Sequence, residues 1–153
     1  MADTQTEVLF YHLERKPLEA VLPQLLEMTV QRGWRAVLQA SSDERLDALD
    51  THLWTYSEES FLPHGTRKDG HTAAQPIYLT TGDDNPNAAT VRFMVDGAVA
   101  GELTAYNRVV YMFDGRNPDA VQQARSEWKR AKAAGCTVTY WQQAESGRWE
   151  KKA

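Results

Sequence analysis

Four residues in the last third of the chain, Arg125, Trp128, Lys129 and Lys132, have the types and spacing to hold a ligand that is both anionic and partly apolar. At about 100° per helical residue, Arg125, Lys129 and Lys132 share one narrow face. Ala120, Ala124 and Ala131 form a small-residue stripe beside it, and Val121 and Trp128 lie between the two. The alanines would let such a helix lie close against a sheet, leaving Trp128 at the rim with its ring beside three cations. The plainer account is a solvated basic face whose lysine stems lie along a tryptophan, and the pattern alone does not separate the two.

Other chemistry finds less support. A nucleotide site on an α/β sheet needs a glycine-rich turn after the first strand, so that backbone amides can approach a pyrophosphate. The turn here is Leu13-Glu14-Arg15-Lys16-Pro17, with no glycine, and no phosphate loop of the Walker type occurs elsewhere. The four histidines, His12, His52, His64 and His71, and the single Cys136 fit no known metal spacing; His64 and His71 share one loop and read as two exposed histidines. Asp83-Asp84-Asn85 has hard-cation ligands, but Gly-Asp-Asp-Asn-Pro between strands is ordinary turn composition. No nucleophile elbow is present. The reading is therefore of no catalytic residue, no metal and no cofactor.

Composition sets the frame. The 153 residues are enough for one domain with a real core, and 42% hydrophobic with 25% charged residues excludes a wholly disordered chain. A net charge of −4 disfavours direct binding to DNA as the main activity, so any anion recognition must be local. One cysteine precludes an internal disulfide and suits a reducing compartment. With no secretion signal and no apolar run near the ~20 residues of a membrane span, a cytoplasmic location is expected.

The elements that must position the basic face follow. Asn117 is a good N-cap, Pro118 fits the first helical position, and Gly135 closes the other end, so residues 117–134 are predicted to form one helix. Residues 8–12 read as a buried strand. Leu18, Val21, Leu22, Leu25, Leu26 and Thr29 then mark the core face of a helix ending near Gly33, in which Pro23 forces a kink or a late start. Residues 34–39 read as a strand, and Ser41 with Glu44 as a capping box for a helix carrying Leu46, Leu49 and Leu53 to about Trp54. Two successive β–α units favour a parallel, doubly wound sheet.

Residues 56–75 read as a polar loop interrupted by Phe61-Leu62-Pro63, a trio that either plugs the core or anchors another protein. Strands are expected at 77–80 and 91–95, as antiparallel neighbours or parallel with a loop, around a turn at 82–87. Residues 99–106 read as a short helix or turn, 108–113 and 137–141 as strands. Residues 1–143 form the domain, and residues 144–153 a polar, mobile tail on which Trp149 has the means to dock.

Two blocks, Leu53-Trp54 with Glu59-Ser60-Phe61-Leu62-Pro63-His64, and Ala124-Arg125-Ser126-Glu127-Trp128-Lys129 with Ala134-Gly135, together resemble the chi subunit family of bacterial DNA polymerase III. The order of elements is similar from residue 8 to about 141. The resemblance implies an α/β, Rossmann-like three-layer fold around a mostly parallel sheet that lacks a nucleotide-binding loop and works as a non-catalytic clamp-loader adaptor. Its implied partners are the acidic C-terminal tail of single-stranded-DNA-binding protein and a psi-type subunit, with DNA reached mainly indirectly. By position, Arg125, Lys129 and Lys132 would face the tail's carboxylates, while Trp128, Val121 and Val138 would line the pocket for its last phenylalanine. Trp54, Phe61, Leu62 and Pro63 would meet the psi-type partner, which turns the trio from core to anchor. Val121 stands where the family carries a further basic residue, and Cys136 replaces a larger apolar one. The other reading consistent with the residues is a small α/β enzyme or binding domain for an anionic metabolite at the same basic helix.

Overall fold

The structure, a computed structural model, describes residues 6–56, 62–99 and 101–152. Strands β1 (Glu7–Leu13), β2 (Ala36–Gln39), β3 (Gly65–Thr66), β4 (Ile77–Thr80), β5 (Val91–Met94), β6 (Arg108–Asp114), β7 (Thr137–Gln143) and β8 (Trp149–Lys151) form one sheet in the order β3-β4-β2-β5-β6-β1-β7-β8. All pairings are parallel except β7 with β8. The central strands are apolar on both faces, as β2 (AVLQ) shows, because helices and loops cover both sides.

Helices α1 (Leu18–Gln31) and α2 (Asp43–Thr55) share one core with Leu13, Ala36, Leu38, Leu79, Val110 and Met112. Helix α3 (Pro118–Ala133) lies on the opposite face over Val8, Phe10, Val109 and Tyr111, which completes three layers and bears out the expected α/β fold. Its ends are as the sequence reads: the Asn117 side chain accepts from the amides of Asp119 and Ala120, and Gly135 has φ +84°.

Pro23 sits inside α1 rather than starting it. Without an N–H, it leaves the carbonyl of Glu19 with no partner one turn earlier, and His52 of α2 takes that carbonyl at 2.6 Å.

Several expectations are corrected. The cap of α2 is Ser42, accepting from the Arg45 amide, not Ser41 paired with Glu44, because the chain extends one residue further before turning. Strands β4 and β5 do not pair with each other; both flank β2. The loop at 56–75 holds β3 and two 3-10 turns, whereas the short helix or turn expected within 99–106 is present as a 3-10 turn, Leu103–Ala105. The tail expected to be mobile from 144 instead turns at Gly147 and adds β8, with Trp149 edge-on to Tyr11 at 5.0 Å.

Among the described residues, no helix is long and apolar enough to cross a membrane.

Candidate functional site

Helix α3 turns Ala124 and Ala131 inward, as the small-residue stripe implies, but Glu127 is buried between them at 7% exposure. A carboxylate there is tolerable only because Tyr111 donates its hydroxyl at 2.5 Å and Arg130 its Nη2 at 2.8 Å. Burial, then the Glu127 carboxylate, pushes the Tyr111 hydroxyl far up, so it stays a donor. Nothing in the local sequence signals this buried pair, because its members belong to different elements.

The outer face of α3 carries the candidate site. Arg125, Lys129 and Lys132 are exposed, and among the described residues none forms an ion pair, whereas Arg130 is engaged by Glu127 and the Gly101 carbonyl. Trp128 is half-buried. It lies on Phe10 at 5.5 Å and Tyr140 at 6.0 Å between ring centroids, and Phe10 in turn stacks on Tyr111 at 4.9 Å. Of the three cations expected around its ring, only Lys132 lies over it, 5.5 Å from the centroid. Val121, Val138 and Cys136 are partly buried, and Val138 and Cys136 pack against the same cluster. Burial pushes the Cys136 thiol up, with Arg130 pulling against it.

Tyr140 and His12 were missed by sequence reasoning. Strand alternation places Tyr140 on the same face as Val138, a signal that was available. No such signal exists for His12, which reaches Tyr140 only through the β1–β7 register. The Tyr140 hydroxyl and His12 Nδ1 are hydrogen-bonded at 2.5 Å, His12 Nε2 lies 3.0 Å from Glu14, and Glu14 also accepts from Gln142. Burial raises the Tyr140 hydroxyl, while the nearby charge of Arg125 lowers it and that of Glu14 raises it. A Cβ at Gly115 would fall 1.8 Å from His12 Nε2, so only glycine fits that turn while His12 keeps its place.

The second set of predicted residues lies at the other end of the sheet. Trp54 is 49% exposed and packs against His64, with ring centroids 4.3 Å apart. Leu62 is 2% exposed and belongs to the core, so it holds the loop down and faces no partner, a correction to its expected role. Pro63 is partly buried, and Phe61 lies outside the described residues. His64 is also buried, not exposed as expected: its ring nitrogens face the Leu62 carbonyl at 2.6 Å and Asp50 at 3.2 Å. Both nitrogens are thus occupied, and no cluster of three metal-ligating side chains occurs among the described residues.

The turn at 82–87 spends its polar atoms internally. Asp84 accepts from Tyr78 and Thr80, Asn87 is buried against the carbonyls of Ala36 and Gln75, and Asn85 pairs with Ala89. Beneath it Arg92, fully buried, donates to Gln39, Tyr106 and the carbonyls of Gly82 and Asp84. A cleft of about 500 Å³ opens at the C-terminal ends of β1, β5 and β6, where doubly wound folds bind ligands. Its rim mixes Glu19, Asp96, Asp114 and Asp119 with Lys16, Arg45 and Arg116; Arg45 is tied to Glu19 and Asp96 and Arg116 to Asp114, and none of the α3 cations line it.

The fold and the site define a Rossmann-like α/β domain with no glycine-rich turn and an outward-facing basic helix. Residues 5–139 match the family described as DNA polymerase III chi subunit, HolC, and the chain belongs to that family. A curated relative, the probable DNA polymerase III subunit chi of Rickettsia prowazekii (strain Madrid E), is 27% identical over 103 residues, 67% of this chain. The match spans 62% of that protein's length.

Proposed function

We propose that this chain is a non-catalytic accessory subunit of the DNA polymerase III holoenzyme in replication. In this reading it receives the acidic C-terminal tail of single-stranded-DNA-binding protein on α3 and β7, and joins the clamp loader through a psi-type subunit at Trp54 and the loop after it. The observation that carries the first half is the set of three exposed cations, without ion-pair partners among the described residues, beside a half-buried tryptophan. Family membership supports the setting.

Energetics divide the labour. Micromolar binding needs about 8 kcal/mol, and exposed ion pairs contribute only ~0–1 kcal/mol each. Burying a terminal phenylalanine against Trp128, Val138 and Tyr140 adds ~1.5–3 kcal/mol, and an arginine gripping a carboxylate forms a stronger, directional bond. Arg125 and the apolar pocket then set affinity, while Lys129 and Lys132 steer and make binding salt-sensitive.

The test is calorimetric titration with a peptide ending in Asp-Ile-Pro-Phe, as free acid and as C-terminal amide. The free acid should bind, with Arg125→Ala weakening it ~10-fold or more and Trp128→Ala weakening it at every salt concentration. Equal affinity for acid and amide, or wild-type affinity of Trp128→Ala at high salt, would refute this site.

A further inference from the structure

We propose that the α1 side of the sheet carries a second, separate surface that binds single-stranded nucleic acid, with Trp34 as the stacking platform and Arg32 and Arg108 as its phosphate contacts.

Trp34, in the turn between α1 and β2, is 37% exposed and carries two guanidinium groups: Arg32 at 5.0 Å and Arg108 at 5.2 Å from the ring centroid. The two arginines are held differently. Arg108 is fixed by Glu7, which accepts from its Nη2 at 2.9 Å and its Nε at 3.1 Å. Arg32 has no side-chain hydrogen bond or ion pair among the described residues, so the ring is its only partner. A stacked guanidinium keeps its in-plane N–H donors free, and those donors fit a phosphate bidentately. Because nothing else holds Arg32, a base can take its place on the ring while Arg32 swings to the adjoining phosphate.

The surface continues along the strands. Tyr11 lies close enough to Arg108 and Arg32 for their charges to pull its hydroxyl down against the effect of burial. Beyond it Trp141 stacks on Tyr11 at 6.4 Å and Trp149 meets its edge at 5.0 Å. This half-buried aromatic strip lies on the face of β1, β7 and β8, past the strands β2 and β6 that α1 contacts. Aromatic rings in line on a sheet, bordered by arginine, are the general means of holding unpaired bases.

Charge selects the occupant. The chain carries 21 acidic and 17 basic residues, yet Glu7 is the one carboxylate in ion-pair contact with Arg32, Arg35 or Arg108 among the described residues. Residues 31–35, QRGWR, are all exposed, and Trp34 is their single apolar member, so the ring stands among polar and cationic groups. The net charge of −4 disfavours a uniformly basic surface and leaves a local one open. This surface lies on the opposite side of the sheet from α3, so the inference does not depend on tail binding.

The test is fluorescence anisotropy of a short labelled oligothymidylate against the full chain, at low and at physiological salt. The wild type should bind with a strong salt dependence. Trp34→Ala should weaken binding ~10-fold or more, and Arg32→Ala should lessen the salt slope by about 0.7, the share of one single-strand phosphate. Arg125→Ala should bind the oligonucleotide like the wild type, and Trp34→Ala should keep its affinity for the acidic peptide. Because Arg32 is exposed and touches only the Trp34 ring, Arg32→Glu should keep the wild-type urea midpoint and abolish binding. Absence of binding by the wild type at low salt, loss through Arg125→Ala instead, or competition by polyglutamate at equal strength would overturn the proposal; the last would assign the surface to an acidic protein.

Discussion

Asp84 is exposed, yet its carboxylate is worked from several sides. Burial of part of the group would raise its pKa, but hydrogen bonds from Thr80 and Tyr78, and the charge of Arg92, outweigh that and hold it below the usual carboxylate range. A depressed pKa contributes stability that is present above the unfolded value, near 3.9, and is lost as pH falls through the folded one. Asp84→Asn should therefore cost about 1 kcal/mol or less at neutral pH, given solvent screening. Urea unfolding should show the gap to wild type closing as pH falls below about 4. At this scale the sequence was least legible. Arg92 reads as the polar position of a short strand, and Glu127 as an exposed position of a basic helix. Their partners, Gln39, Tyr106 and Tyr111, are fixed by strand neighbours that no local pattern encodes. Arg125 and Trp128 were legible because one helix's periodicity brings them together, whereas His12 reaches Tyr140 across 128 residues.

The elements themselves were read more completely, since each writes its own limits. Helix α3 carries both caps in its sequence, and the apolar strands are short and continuous. What escaped were pieces made by their neighbours: β3, two residues long beside β4, and β8, polar and held by pairing with β7. Trp149→Ala tests whether β8 is structural. It should lower stability by about 1–2 kcal/mol, less than a fully buried tryptophan because Trp149 is partly exposed; no change in the urea midpoint would mean the strand contributes nothing. The α1–α2 contact makes a second prediction. His52→Ala leaves the Glu19 carbonyl unpartnered and should cost ~1–3 kcal/mol. In a Pro23→Ala background the restored amide can serve that carbonyl, so the same substitution should cost measurably less in a double-mutant cycle. Equal costs in both backgrounds would show that His52 acts by some other contact.

On the scale of the whole molecule, two α/β units early in the chain were enough to suggest a parallel sheet, but not its strand order. The order matters most for β1. It lies between β6 and β7, pairing Glu7 with Arg108 on one side and with Thr137 on the other. During synthesis, then, β1 has no partner strand until about 95 further residues have followed it, an interval of roughly 5–20 s at ~5–20 residues per second. Through that interval Val8 and Phe10, whose cover comes from β6 and α3, face the cell uncovered. The nascent chain is thus a natural client for holding chaperones, and its yield should depend on translation speed and temperature more than the stability of the finished domain would suggest.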